Sequence, residues 1–307
     1  MIDVLINRIK ETKNPTCVGL DTKLDFLPKE YLRFTKTNLL EHAAQNIFEF
    51  NRIVIDNIAD IVPCVKVQSA YYEMYGYPGV EALYNTIAYA KECGMIVIAD
   101  VKRGDIGETA KAYSKAYLGS VDVEGESIEV FNADFITVNA YLGIDGIKPF
   151  LEDCQKNRKG IFILVKTSNP SGGQIQDLVC EDKPIYMHMA ELVEEWGKPF
   201  LGKNGYSSVG AVVGATWPKQ AEEIREKFKN MFMLVPGYGA QGASANDIAV
   251  NFDKNGLGAI VNSSRAILTA ASNPMFKDEV FYHSIRKAAI HMRDDILKAF
   301  EENKISY

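Results

Sequence analysis

Short, wholly apolar runs recur along this chain, and stretches with helical periodicity separate them. Strands covered by helices on both faces carry apolar side chains at nearly every position, so these runs predict the strands of a parallel sheet. The predicted strands are 16–20, 63–67, 95–99, 135–138, 161–165, 208–213, 232–235 and 259–261. Eight strands that alternate with helices predict a (β/α)₈ TIM barrel of the α/β class, with residues 1–307 forming a single domain.

The helical stretches show apolar residues at the spacing of an amphipathic helix. In 41–60, for example, Ile47, Phe50 and Val54 belong to one stripe. Similar patterns cover 79–92, 105–118, 185–198, 218–229, 244–255 and 276–301. The connection at 168–207, between the fifth and sixth predicted strands, is too long for a simple barrel loop and predicts a mobile loop followed by a helix.

A doubly wound open sheet is the main alternative, because periodicity alone does not fix the number of strands. The chemistry at the strand ends favours the barrel. Nearly every predicted strand is followed by polar or glycine-rich sequence, beginning with Asp21, Lys66, Asp100 and Asn139. In a barrel all of these ends meet at one rim, whereas an open sheet brings together only those near its switch point.

Charge and cysteine content exclude several classes of protein. The net charge of −6 disfavours a general nucleic-acid or anionic-membrane surface, so an anionic ligand would need a local basic or backbone-amide site. The N-terminus lacks a signal-peptide pattern, and no apolar run is long enough to span a membrane. The five scattered cysteines, without a C-x-x-C pair, predict reduced core thiols in a cytoplasmic protein.

Three ionisable residues, Asp100, Lys102 and Asp105, follow the third predicted strand at fixed spacing. Side chains two apart on a strand share a face, so Asp100 and Lys102 should project together. Removing charges from water at the end of a core strand costs free energy, unless the charges are paired or take part in binding or catalysis. The alternatives are structural: Asp105 and Glu108 match a helix capping box, and Asp100 with Lys102 matches a simple ion pair on the rim.

Two further strand ends extend this charged group. Lys66 is flanked by Val65 and Val67, which predicts that it faces inward and meets Asp100 in an alternating array of lysines and aspartates. Asp21 ends the first strand in the same way. Taken alone, Lys66 is also typical of a solvated rim residue, and Asp21 of a turn before Thr22.

The seventh and eighth predicted strands are followed by sequence suited to a phosphate. The loop 236–242 is rich in glycine, including Gly239, and Arg265 follows the last strand. Glycines let backbone N–H groups approach an anion, and arginine adds a bidentate partner. Barrels commonly hold phosphate after these two strands. Ser168 lies in a Ser/Gly-rich loop. This pattern is typical either of a ligand contact beside a lid or of a plain flexible loop.

The histidines give no support to metal or histidine-based nucleophilic chemistry, because none lies at metal-ligand spacing or near a strand end. They are His42, His188, His283 and His291.

Taken together, these residues resemble the orotidine 5′-phosphate decarboxylase family, in its longer bacterial branch. The motif Asp-x-Lys-x-x-Asp-Ile-x-x-Thr at 100–109 is specific to a small superfamily, and the loop 236–242 narrows the match. The resemblance covers essentially the whole barrel. It implies decarboxylation of orotidine 5′-phosphate to UMP in pyrimidine biosynthesis by a homodimer. It also implies no cofactor, no metal, no nucleic-acid partner and no membrane.

The resemblance also implies roles for individual residues. Lys102 would stabilise and protonate the carbanion at C6 of the pyrimidine, because without a cofactor the protein must supply the charge. The implied catalytic residues are Lys66, Asp100, Lys102 and Asp105, with Asp105 supplied across the dimer interface. Implied substrate contacts are Asp21 and Thr109 at ribose, Thr109 from the partner, Ser168 at the pyrimidine, Gln241 and Arg265 at phosphate, and additionally Ile106 and Gly239.

Three other functions remain open on the sequence. A Mg²⁺-dependent sugar-phosphate decarboxylase or hexulose-phosphate synthase of the same superfamily shares the Asp-x-Lys-x-x-Asp motif. A Schiff-base aldolase would use Lys166, because 165–168 resembles the lysine strand of deoxyribose-phosphate aldolase. The third is a barrel that binds nucleotides without catalysis, which the complete set of charged residues disfavours.

Overall fold

A computed structural model describes residues 1–239, 242–278 and 280–306. Eight parallel strands close into a barrel, in the order β1-β2-β3-β6-β7-β10-β11-β12. These strands are β1 (Thr16–Gly19), β2 (Cys64–Gln68), β3 (Ile96–Arg103), β6 (Phe135–Val138), β7 (Gly160–Lys166), β10 (Val209–Val213), β11 (Met233–Pro236) and β12 (Ala259–Ser263). Two small hairpins lie outside the barrel: β4 (Val121–Val123) with β5 (Glu126–Ile128), and β8 (Val179–Cys180) with β9 (Lys183–Pro184). The predicted fold class is confirmed.

Helices alternate with the barrel strands and cover them. They are α1 (Ile2–Thr12), α2 (Leu39–Ile58), α3 (Ala70–Glu73), α4 (Gly76–Glu92), α5 (Gly107–Tyr117), α6 (Ile144–Asn157), α7 (Gly173–Gln176), α8 (Ile185–Gly197), α9 (Pro218–Lys227), α10 (Ala245–Ala249), α11 (Arg265–Leu268) and α12 (Phe281–Glu302). Within the described residues, no helix combines the length and apolar character needed to cross a membrane.

Several elements differ from the sequence prediction. Helix α1 was not predicted, and α12 begins at Phe281 rather than at residue 276. Strand β3 continues past its apolar run to Arg103, because Asp100 pairs with Gln68 on β2 and Arg103 pairs with Val138 on β6. The predicted helix 244–255 ends at Ala249, since the Asp253 carboxylate accepts hydrogen bonds from the N–H groups of Asn255 and Leu257 and forms a turn there. Helix α6 was not predicted, and it contains Pro149, a residue that weakens helical patterns.

An apolar plug fills the amino-terminal half of the barrel. The rings of Phe135 and Phe162 pack with their centroids 5.0 Å apart and their planes tilted by 30°, and Phe232 lies in the same cluster. Helix α1, whose Ile2 and Leu5 are fully buried, closes the barrel from below. Burial of each such side chain contributes about 1.5–3 kcal/mol. Among the described residues, the plug fills the amino-terminal end of the barrel and leaves a cavity at the carboxyl-terminal end.

The long connection after β7 is ordered rather than a bare loop with one helix. It contains a 3₁₀ turn at Pro170–Gly172, then α7, the β8–β9 hairpin and α8. The cysteines are free, and Cys17, Cys64 and Cys154 are buried as predicted. Cys180 lies exposed on the hairpin, so the prediction of a core thiol is wrong there.

Candidate active site

A cavity of about 520 Å³ opens at the carboxyl ends of the barrel strands. Its floor is apolar, formed by Leu164, Val212 and Leu234, and its walls are polar. The wall residues are Asp21, Lys66, Gln68, Asp100, Lys102, Thr137, Thr167, Ser168, Asn169, Pro236, Gly237, Tyr238, Asn262, Ser263, Ser264 and Arg265. Polar side chains from seven of the eight barrel strands, or from the loops after them, therefore meet here, as the barrel prediction requires.

Lysines and aspartates alternate along one wall of the cavity. Lys66 Nζ lies 3.0 Å from Asp21 Oδ1 and 3.0 Å from Asp100 Oδ2. Lys102 Nζ lies 2.6 Å from Asp100 Oδ1. The predictions that Lys66 faces inward, and that Asp100 and Lys102 share a face, are confirmed. Asp100 thus links two ammonium groups, one buried and one open to the cavity.

Burial opposes the charges of Asp100 and Lys66, because a weakly polar interior disfavours ions. The ammonium groups of Lys66 and Lys102 outweigh burial at Asp100 and lower its pKa well below the ordinary 3.8. The carboxylates of Asp21 and Asp100 outweigh burial at Lys66 and raise its pKa above the ordinary 10.5.

These directions fix the pH range in which the charges stabilise the fold. The contribution of Asp100 is present above its ordinary pKa of 3.8 and is lost as pH falls through its lower folded-state pKa. The contribution of Lys66 is present below 10.5 and is lost as pH rises through its higher folded-state pKa. Both ions persist over the whole range between.

Lys102 has an unusual backbone. Its φ is 44°, in the left-handed region that costs a non-glycine residue about 1–2 kcal/mol. Its N–H donates to Thr137 Oγ1 at 3.0 Å. The side chain keeps 46% of its surface exposed, so the ammonium group is available to a ligand in the cavity.

Asp21 is held by the end of the last strand. Ser264 Oγ donates to Asp21 Oδ2 at 2.8 Å, and Lys66 donates to the other oxygen. A Cβ at position 19 would lie 1.9 Å from Ser264 Oγ, so a side chain there would displace the hydroxyl that donates to Asp21. The first and last barrel strands are thereby joined directly at the carboxylate that faces Lys66.

The side of the cavity opposite Lys102 carries residues that were predicted to bind phosphate. Gly237, with φ 105°, and Arg265 both line it, together with Tyr238. The hydroxyl of Tyr238 donates to Asp295 on α12 and ties the loop to that helix. Gly239 lies outside this lining and faces a separate groove against α12. Gln241 lies outside the described residues.

The backbone of Ser168 is held between the residues predicted to bind phosphate and the wall of lysines and aspartates. Its carbonyl accepts from Thr216 Oγ1 at 3.1 Å. Gly214 packs so closely that a Cβ there would lie 2.6 Å from the Ser168 Cα. The backbone of Ser168 is therefore held in place in the cavity wall.

Comparison with known proteins agrees with this geometry. Residues 17–276 match the model of the Orotidine 5′-phosphate decarboxylase / HUMPS family. The chain belongs to this family. Orotidine 5′-phosphate decarboxylase of Caldicellulosiruptor saccharolyticus is 46% identical over 279 residues, covering 90% of this chain and 92% of that protein. The enzyme of the same name from Clostridium perfringens strain SM101 is 45% identical over 298 residues, covering 97% and 98%.

A solved structure of the family shows the same barrel. The OMP decarboxylase of Leishmania donovani superposes with a TM-score of 0.73 at 28% identity, covering 97% of this chain and 97% of that one. The family predicted from the sequence is confirmed by these matches.

Part of the decarboxylase-family motif does not reach the cavity of its own chain. Asp105, Ile106 and Thr109 are absent from its lining. The Asp105 carboxylate accepts a hydrogen bond from the Ile106 N–H at 2.8 Å. Helix α5 begins after Ile106 without a side-chain cap, so the capping-box alternative for Asp105 is wrong. Ile106 is 53% exposed and Thr109 is exposed, so this segment presents its side chains outward.

Lys166 is not placed for Schiff-base chemistry. It is fully buried, pairs with Asp177, and its ammonium lies 4.7 Å from the ring centroid of Trp217. It does not line the cavity. The aldolase alternative therefore loses its only candidate residue. In the described ranges, no group of three His, Cys, Asp or Glu side chains is arranged to hold a metal ion.

Two polar residues of the charged wall were missed in the sequence. Gln68 Nε2 donates to Asp100 Oδ2 at 2.9 Å, and Thr137 Oγ1 donates to Asp100 Oδ1 at 2.8 Å. Gln68 lies two residues beyond Lys66 and so shares its face, a signal that strand alternation provides. Thr137 lies inside an apolar strand, where nothing in the sequence distinguishes it from a packing residue.

Proposed function

We propose that this protein decarboxylates orotidine 5′-phosphate to UMP without a cofactor. The observation that carries the proposal is the array Asp21–Lys66–Asp100–Lys102 at one side of a cavity whose other side holds Gly237 and Arg265. A nucleoside monophosphate has the matching arrangement, with a reactive ring at one end and a dianion at the other. The names of the relatives support the same substrate.

The chemistry follows from the charge that develops. When the bond between C6 and the carboxylate carbon breaks, CO₂ leaves and the electron pair remains on C6, in the plane of the ring, without a conjugated acceptor. The Lys102 ammonium stabilises this pair and then transfers a proton to it, forming the C6–H bond. The neutral amine regains a proton from solvent. Two unit charges about 4 Å apart interact by roughly 4 kcal/mol at an effective dielectric of 20, which is about a thousandfold in rate.

The remaining rate acceleration requires binding energy from groups distant from C6. Arg265 and the loop at Gly237 bind the phosphate, Asp21 and Lys66 bind ribose hydroxyls, and Ser168 contacts the pyrimidine. Interactions with these non-reacting parts hold C6 against Lys102 and exclude water from the carbanion.

The proposal includes a homodimer with shared sites. Asp105 and Thr109 lie on a segment directed outward, and the apolar residues Tyr141 and Leu142 nearby are 83% and 49% exposed. A symmetric partner would cover this surface and receive Asp105, Ile106 and Thr109 at its own cavity. The proposal also includes a cytoplasmic location, which is consistent with the unpaired cysteines of the described chain.

The direct test follows the loss of orotidine 5′-phosphate absorbance with purified protein in excess EDTA. We expect full activity, because no step of the mechanism uses a metal. Activity that survives EDTA would argue against the Mg²⁺-dependent alternative, whereas activity that disappears with EDTA and returns with Mg²⁺ would contradict the cofactor-free mechanism. No consumption of orotidine 5′-phosphate under either condition would refute the proposal.

Replacement of Arg265 by alanine should mainly weaken binding. A charge-assisted hydrogen bond to phosphate contributes about 1.5–3 kcal/mol, so KM should rise roughly 10- to 150-fold. The measurement compares the dissociation constants of UMP and uridine for the wild type and Arg265→Ala. The loss should appear for UMP and be absent for uridine, which lacks phosphate. An equal loss for both ligands would place Arg265 away from the phosphate.

A further inference from the structure

The hydroxyl of Thr137 lies between the two most important charged residues of the cavity. Thr137 Oγ1 donates to Asp100 Oδ1 at 2.8 Å and accepts from the Lys102 N–H at 3.0 Å. The side chain is 1% exposed, so water does not compete for these bonds. A single oxygen atom therefore contacts both the side chain of Asp100 and the backbone of Lys102.

The strand pairing explains why Lys102 needs this contact. Strands β3 and β6 pair at Ala99↔Ile136 and next at Arg103↔Val138, with a register shift between. An advance of four residues along β3 is thus paired with an advance of two residues along β6. The intervening residues of β3 form a β-bulge. The Lys102 N–H loses its ladder partner and turns to the Thr137 hydroxyl, while the Lys102 φ becomes 44°.

Asp100 depends on the same hydroxyl. Its Oδ1 accepts from Lys102 Nζ and Thr137, and its Oδ2 accepts from Gln68 and lies 3.0 Å from Lys66 Nζ. A carboxylate with two donors on each oxygen has its plane fixed. Without the Thr137 hydroxyl, the Lys102 ammonium would be the remaining donor to Asp100 Oδ1. The Lys102 side chain is flexible, so this bond alone would not fix the position of either the ammonium or the carboxylate.

We propose that Thr137 is a positioning residue for Lys102. Its hydroxyl fixes the Asp100 carboxylate and the left-handed backbone of Lys102 together, and this directs the Lys102 ammonium to the place where negative charge develops. Thr137 acts through Lys102 and does not touch the reacting atoms. This inference rests on the proposed function, because the charge in question is the carbanion of the decarboxylation.

The test uses Thr137→Val, which keeps the shape and removes the hydroxyl, and Thr137→Ser, which keeps the hydroxyl. We expect kcat to fall about 10- to 100-fold in Thr137→Val, with KM within about threefold of the wild type, because the phosphate and ribose contacts are intact. Thr137→Ser should recover kcat to within about threefold. As a matched control, Thr86→Val removes a buried, hydrogen-bonded threonine hydroxyl on α4 and should leave kcat unchanged.

Three kinetic results would overturn the inference: an unchanged kcat in Thr137→Val, a loss that Thr137→Ser does not recover, or an equal loss in Thr86→Val. A crystal structure of Thr137→Val gives a readout independent of the reaction, in which we expect the Lys102 φ and the Asp100–Lys102 distance to change. Unchanged values would contradict the proposal. A wild-type protein without decarboxylase activity would refute the proposed function instead, and the structure of the variant would still decide the role of Thr137.

Discussion

Replacing Lys102 with alanine should lower kcat for orotidine 5′-phosphate by about five to seven orders of magnitude. Loss of the ammonium charge near C6 removes roughly 4 kcal/mol of stabilisation, about a thousandfold. Loss of the positioned proton donor removes a further factor of about 10² to 10⁴. The neighbouring Lys66 does not substitute, because it is 4% exposed and both of its bonded partners are carboxylates. The measurement is single-turnover formation of UMP by the variant at saturating substrate.

The dissociation constant of UMP distinguishes a variant that has lost catalysis from one that has lost its folded structure. Gly237 and Arg265, the proposed phosphate contacts, lie across the cavity from Lys102, so the dissociation constant of UMP should change by less than about tenfold in Lys102→Ala. Lys254→Ala is the control, since this exposed lysine precedes β12 at the opposite end of the barrel. Decarboxylation by Lys102→Ala at the wild-type rate would refute the mechanism.

Local patterns in the sequence were sufficient to predict the barrel and its charged rim. The strand at 135–138 was predicted at its observed bounds, and the apolar neighbours of Lys66 identified its inward direction. Both inferences depend only on the alternation of side chains along one strand and on burial by covering helices.

Features that depend on two distant segments were not predictable in this way. The left-handed φ of Lys102 arises from the register shift between β3 and β6, and the sequence of β3 alone does not contain it. The role of Thr137 has the same origin. Lys166 illustrates a further limit, because its partner Asp177 lies in the long connection after β7, and only the folded connection separates this lysine from the cavity.

The outward position of Asp105 leads to the second large effect. Its carboxylate bonds only to the N–H of Ile106 among the hydrogen bonds of the described chain, although Lys102 is three residues away. If Asp105 completes the charged site of a symmetric partner, Asp105→Ala should lower kcat about 10²- to 10⁴-fold, although the cavity of each chain is unchanged. A role confined to its own chain gives the same loss, so the single variant does not distinguish the two cases.

Mixed dimers make that distinction. When Lys102→Ala and Asp105→Ala chains are unfolded together and refolded, about half of the dimers contain one chain of each kind. In such a dimer, one site combines both substitutions and the other has a native Lys102 with a native Asp105 from its partner. Activity should therefore return to roughly a quarter of the wild-type value, far above that of either variant alone. Lys102→Ala mixed with Asp100→Ala is the matched control, because both residues lie in the same chain's array and no mixed dimer regains a complete site. Equal activity in the two mixtures would place Asp105 in the site of its own chain.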